Sequence, residues 1–231
     1  MSGEVAPLDA EACSDEEGRT WACQVLERHS TRAESACAFH SLRDVFAPDG
    51  ELRARLQRGP IQIFGRHRFY GLVPMNFSYR LDLDENSHIR ITLRIHLRDE
   101  WMSRLEDAQR DALLRDYAVA ADIWQQELTP FGLSFRLEMV SQTQLADFSL
   151  NVYEGWGRGP CHWHVYTGWG GATIAHELGH LLGLDEEYEE STNPGIYPDV
   201  TGLGSNSLMT MGSRIYLPHL YVILNRGLCT F

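Results

Sequence analysis

Within the 231-residue chain, the stretch Ala175 to Tyr188, AHELGHLLGLDEEY, sets His176, Glu177 and His180 in an otherwise apolar run. Burying polar groups without partners costs about 1–3 kcal/mol each on protein scales, so something must satisfy them. The two histidines stand at i and i+4, a spacing that on an α-helix puts both imidazoles on one face about one turn apart. Two ring nitrogens so placed can reach a single Zn²⁺ at roughly 2.0–2.1 Å. Glu177, beside the first histidine, can hold a water next to the metal and take its proton. The residue types divide the work: neutral imidazoles suit a borderline-soft ion, and a carboxylate suits the base. Ala172, Ile174, Ala175, Leu178, Leu181 and Leu182 supply the apolar flanks of a buried helix.

A catalytic zinc usually takes three protein ligands, and two histidines leave it short. Glycine adopts the left-handed conformation that ends a helix, so the chain can turn back at Gly183. A residue three further on, Glu186, then comes round to the metal. The expected ligands are His176, His180 and Glu186, with Glu177 as general base.

The run HELGHLLGLDE resembles the metzincin clan of zinc peptidases, whose pattern is H-E-x-x-H-x-x-G-x-x-H, with Asp last in some members. His176, Glu177, His180 and Gly183 match; Glu186 stands where the clan has His or Asp, and Asp185 is its nearest rival. The clan also carries a methionine turn beneath the metal, and NSLMTMG resembles it, with Met209 as the match and Met211 as the alternative. A second zinc-peptidase clan draws its third ligand from a glutamate on a later helix. No glutamate follows Glu190 here, which leaves Asp199 as the alternative on that pattern.

The resemblance covers residues 76–231 and implies an α+β, metzincin-like zincin domain. Its parts would be a twisted mixed sheet, a long backing helix, an active-site helix and a small C-terminal subdomain. It implies a zinc metalloendopeptidase that hydrolyses protein or peptide substrates through a metal-activated water, with Zn²⁺ as cofactor. It also implies that the region of CHWH supplies an edge strand along which a substrate lies extended by main-chain hydrogen bonds. Tyr216 and His219, after the methionine turn, could donate to a developing oxyanion, with packing as the default reading for both. The competing class is a catalytically inactive protein that keeps the zincin fold for binding or structure.

These side chains need elements to carry them. Phe77, Tyr79, Leu81 and Leu83 alternate with polar residues, as do Ile89, Ile91, Leu93, Ile95 and Leu97, across the turn DENS, which predicts a hairpin. Trp101, Leu105, Ala108, Ala112, Leu113, Tyr117, Ala120, Trp124 and Leu128 then recur at steps of helical period, predicting one long amphipathic helix that ends before Pro130. Alternation returns at Leu133 to Met139 and Phe148 to Val152, followed by an edge strand at His162 to Tyr166. The active-site helix begins near Ala172, and LPHLYVILNR, with Pro218 in its first turn, closes the chain. Residues 1–75 read as an N-terminal extension, with an acidic tail over residues 1–20 and short helices at Trp21 to Arg28 and Ala36 to Phe46.

Composition limits the alternatives. A net charge of −12 argues against a nucleic-acid surface. No apolar run reaches the ~18 residues of a membrane span. The acidic start lacks a signal peptide's pattern, so the expected location is cytoplasmic, or outside by a signal-independent route. Five cysteines without CxxC spacing indicate neither a full disulfide framework nor a thiolate zinc site, although Cys161 and Cys229 could pair. All 20 basic residues are arginine, which fits a GC-rich coding bias or a toxin-like effector protease that avoids ubiquitination in another cell.

Overall fold

The computed structural model describes residues 40, 42–69, 73–157, 163–187, 206–210 and 212–229. The expected acidic tail, the helix at Trp21 to Arg28, His162, Asp199 and Met211 lie outside them, as do Cys13, Cys23, Cys37 and Cys161. Cys229 is disulfide-bonded.

Two short helices, α1 (Leu42–Phe46) and α2 (Glu51–Leu56), precede the strands β1 (Ile61–Phe69), β2 (Val73–Leu83) and β3 (Ile89–Leu97). A single turn, α3 (Asp99–Met102), leads to the long helix α4 (Asp107–Leu128). Then come β4 (Leu133–Met139), β5 (Phe148–Tyr153), β6 (His164–Tyr166), α5 (Gly171–Leu181) and α6 (Leu217–Asn225). The fold is mixed α+β, with the long helix backing a twisted mixed sheet.

Strand β3 is the centre of that sheet. Ile91 pairs with both Leu81 and Phe135, and Ile95 with both Met139 and Phe148. A strand has two edges, so β4 occupies one edge of β3, while β2 and β5 follow one another along the other. Asp147 seals that junction: its carboxylate accepts the Arg94 backbone N–H at 2.9 Å and the Arg94 guanidinium at 2.9 Å. Strand β1 extends the sheet antiparallel to β2, and β6 extends it parallel to β5. Thr92 and His96, on the opposite face of β3 from the Ile/Leu row, are buried as well, so this strand is covered on both faces. Val45, Leu52, Leu56 and Ile63 share one core with the strands and helices that follow.

The long helix starts where the Gln109 side chain accepts the Glu106 backbone N–H at 2.9 Å. It buries Leu113, Tyr117, Ala120, Trp124 and Leu128, one stripe at helical spacing. The predicted helix from Trp101 is divided in the structure, because Ser103 to Glu106 leave the helical path between α3 and α4. Pro130 lacks the N–H needed to continue α4, which ends at Leu128 in a short 3-10 turn. Trp124 then fixes α4 against α5 by donating its indole N–H to Ala175 O at 2.9 Å. Among the described residues, no helix is long and apolar enough to cross a membrane.

Candidate metal centre

Helix α5 carries His176, Glu177 and His180, and buries Ile174, Ala175, Leu178 and Leu181. It ends at Leu181, and Gly183 takes φ +83°, the left-handed turn that its position predicted. A Cβ at Gly183 would collide with Arg226 and Phe77, so the bend is tight as well as left-handed. Arg226 reaches in from beyond α6 and donates to Leu182 O at 2.8 Å and to Gly183 O at 2.9 Å. It thereby satisfies carbonyls that the helix end leaves over.

The turn delivers Glu186. His176 Nε2 lies 3.1 Å from His180 Nε2; Glu186 Oε1 lies 3.2 Å from His180 Nε2, and Oε2 lies 3.3 Å from His176 Nε2. The other nitrogen of each ring is committed. Nδ1–H of His176 donates to Leu208 O at 2.7 Å, and Nδ1–H of His180 to Leu184 O at 2.9 Å. Both Nε2 atoms therefore face each other and the Glu186 oxygens. Such a set of converging donors repels itself unless a positive charge lies between them.

A zinc ion held at about 2.0–2.1 Å by tetrahedrally placed donors spaces those donors at roughly 3.3 Å. The contacts found here, two of them made by different Glu186 oxygens, lie near that spacing, and one ligand atom from each residue falls within 4.8 Å of the others, so the residues present fit the ion, and His176, His180 and Glu186 form a cluster able to hold a divalent metal. Electrostatics agrees. Burial pushes His176 down, but the carboxylates of Glu186 and Glu177 outweigh it and raise the imidazole to about 10. For His180 the same contest, burial against Glu186, also ends in a raised value. Burial would lift Glu186, yet the two imidazoles hold its carboxyl well below the usual range. The site wants positive charge.

Glu177 sits apart from this cluster on the same helix. With Tyr117, Val165 and Trp169 it lines a cavity of about 10 Å³, room for about one water. Burial pushes the Tyr117 phenol up, and the charge of Glu177, which lines the same cavity, adds to it. Beneath α5, Met209 is fully buried, and a Cβ on Gly179 would strike its sulfur. The methionine thus packs directly under the turn of helix that joins the two histidines.

Asp185 does not join the cluster; its Oδ1 accepts the Glu186 N–H at 2.9 Å. His219 is fully buried and bonded to Glu187 Oε1 at 2.6 Å, so it packs inward, the default expected for it, and offers no donor to an oxyanion. His164 on β6 stands edge-on to Tyr153 with ring centres 4.8 Å apart. Sequence reasoning missed three groups: Glu187, the Leu208 carbonyl and Arg226. Glu187 was hidden in an acidic run that reads as solvated, a carbonyl has no sequence signal, and Arg226 showed only as a basic residue after the closing helix. Comparison of the chain with protein-family models, with curated proteins and with solved structures returns no match.

Proposed function

We propose that the chain is a zinc metalloendopeptidase of metzincin type, in which His176, His180 and Glu186 hold the metal and Glu177 is the general base. The observation that carries this reading is the convergence of the two Nε2 atoms, 3.1 Å apart, on the Glu186 carboxylate, whose Oε1 lies 3.2 Å from His180 and whose Oε2 lies 3.3 Å from His176, with both imidazoles oriented by carbonyls behind them. The buried Met209 under Gly179 supports the metzincin type, as does the left-handed Gly183.

Zinc bound there supplies Lewis acidity toward a substrate carbonyl and toward water. Glu177 does the proton work. Its carboxylate takes a proton from the attacking water and passes it to the leaving amine nitrogen, so the C–N bond breaks as a neutral amine departs. An extended chain suits the site because β6 pairs with β5 alone among the described residues. Its Val165 lines the same cavity as Glu177. Main-chain pairing along that edge would lay a peptide bond beside the base.

The test separates binding from chemistry. Glu177→Ala should retain one zinc per chain and lose peptidase turnover, scored by mapping new termini in a denatured protein mixture. Undiminished turnover in that zinc-loaded variant refutes the mechanism. Zinc uptake by the wild-type chain without any cleavage favours a binding or structural protein.

A further inference from the structure

The segment Gly183 to Glu187 delivers the third donor but belongs to no helix or strand, so something outside it must hold Glu186 in place. Arg226 grips its first residue, Gly183, together with Leu182 before it. Its last residue, Glu187, is fully buried, as are Ser207 and His219. Glu187 Oε1 accepts from His219 Nε2 at 2.6 Å, and Oε2 accepts from the Ser207 hydroxyl. The Glu187 backbone N–H donates to Met209 O at 3.0 Å. The Tyr216 backbone N–H donates to His219 Nδ1 at 3.0 Å, so that ring's hydrogen sits on Nε2 and points at the carboxylate.

Ser207 and Met209 flank Leu208, whose carbonyl fixes the tautomer of His176. One buried carboxylate therefore ties three things together: the segment that brings Glu186, the turn that orients His176, and the first turn of α6. Burial of a carboxylate is costly unless its lone pairs are met, and here the Ser207 hydroxyl donates to one oxygen and the His219 imidazole N–H to the other. An apolar contact could stabilise the fold as well, but it would not dictate direction.

We infer that Glu187, His219 and Ser207 form a buried positioning network that holds Glu186 and the Leu208 carbonyl in one frame. The inference rests on the metal-site reading. None of the three lies in the donor cluster, so they act through Glu186 and His176.

The experiment uses the full chain and three variants, His219→Leu, His219→Gln and Ser207→Ala. Zinc affinity is measured by competition with a chromophoric chelator, donor geometry by the visible spectrum of the cobalt(II) form, and metal-free stability by denaturation in excess chelator. His219→Leu should weaken zinc binding about 10- to 100-fold, as loss of an outer hydrogen-bond partner typically does, and shift the cobalt spectrum. His219→Gln, whose amide N–H can replace the ring N–H, should recover most of both, and Ser207→Ala should show a smaller loss in the same direction. A folded His219→Leu with wild-type zinc affinity and an unchanged cobalt spectrum overturns the inference, even if its metal-free stability falls. Should His219→Leu not fold, Ser207→Ala decides, and wild-type affinity and spectrum in that variant overturn it. A wild-type chain that takes up neither metal overturns the metal-site reading and this inference with it, an outcome recognised without any variant.

Discussion

The carbonyl of Leu208 lies 2.7 Å from Nδ1 of His176, although 32 residues separate them. That contact decides which ring nitrogen faces the donor cluster, and it ties the turn that carries Met209 to the candidate metal site. Several consequences can be measured.

The metal should depend on the third donor as strongly as on the histidines. Purified without chelator, the chain is expected to carry about one zinc, and Glu186→Ala to lower its affinity by about 100-fold or more, since a deleted ligand costs at least as much as a deleted outer partner. Asp185→Asn should have little effect by comparison, because Asp185 lies outside the cluster. Elemental analysis and chelator competition read both.

Metal uptake should strengthen as pH rises. Burial pulls His176 down, yet Glu186 and Glu177 win, so the metal-free imidazole keeps a proton up to about 10. Zinc must displace that proton, and apparent affinity should climb about tenfold per pH unit for each proton released. The metal-free fold carries the opposite trend. A raised folded value contributes stability that is fully present below the ordinary 6.5 and is lost as pH climbs through about 10. Calorimetry of zinc binding in two buffers of different ionisation heat counts the protons; an affinity flat between about pH 6 and 8 would contradict the arrangement.

Gly183→Ala should damage both fold and site. The left-handed φ of +83° costs a residue with a Cβ about 1–2 kcal/mol, and the collision with Arg226 and Phe77 adds to it. Urea denaturation should show a loss of about 2 kcal/mol or more, accompanied by weaker zinc binding because the bend aims Glu186.

Trp124→Phe tests the clamp between the two main helices. It deletes the indole N–H that serves Ala175 O and leaves a gap in a fully buried position. The expected cost is about 2–3 kcal/mol in denaturation, with zinc affinity changed far less than in the Gly183 variant. A larger effect on zinc than on stability would show that α4 aims the histidines directly.

Much of the fold was legible because its signals are local. The alternation from Phe77 to Leu83 and from Ile89 to Leu97 became the paired strands β2 and β3, and the stripe from Leu113 to Leu128 became the buried face of α4. Strand β1 was not: IQIFGRHRF loses its alternation after Ile63, where Gly65, Arg66 and Arg68 enter, and its pairing with β2 supplies what its own pattern lacks. The division of the first helix at Ser103 to Glu106 was equally hidden. Leu105 keeps the apolar rhythm and is buried, but it does so from outside the helix.

For the site, the i, i+4 spacing of His176 and His180 and the glycine after them were enough to place two imidazoles on one helix face and to expect the bend, since a helix fixes neighbours one turn apart and only glycine bends freely to positive φ. The nearness of Glu186 rather than Asp185, the carbonyls that turn each imidazole, and the pairing of Glu187 with His219 were decided by tertiary structure. His219 stands 32 residues from Glu187, and no local pattern encodes their distance of 2.6 Å. Met209, packed under Gly179, and Arg226, bonded to the carbonyls at the end of α5, frame that pair, and such packing is a property of the whole core.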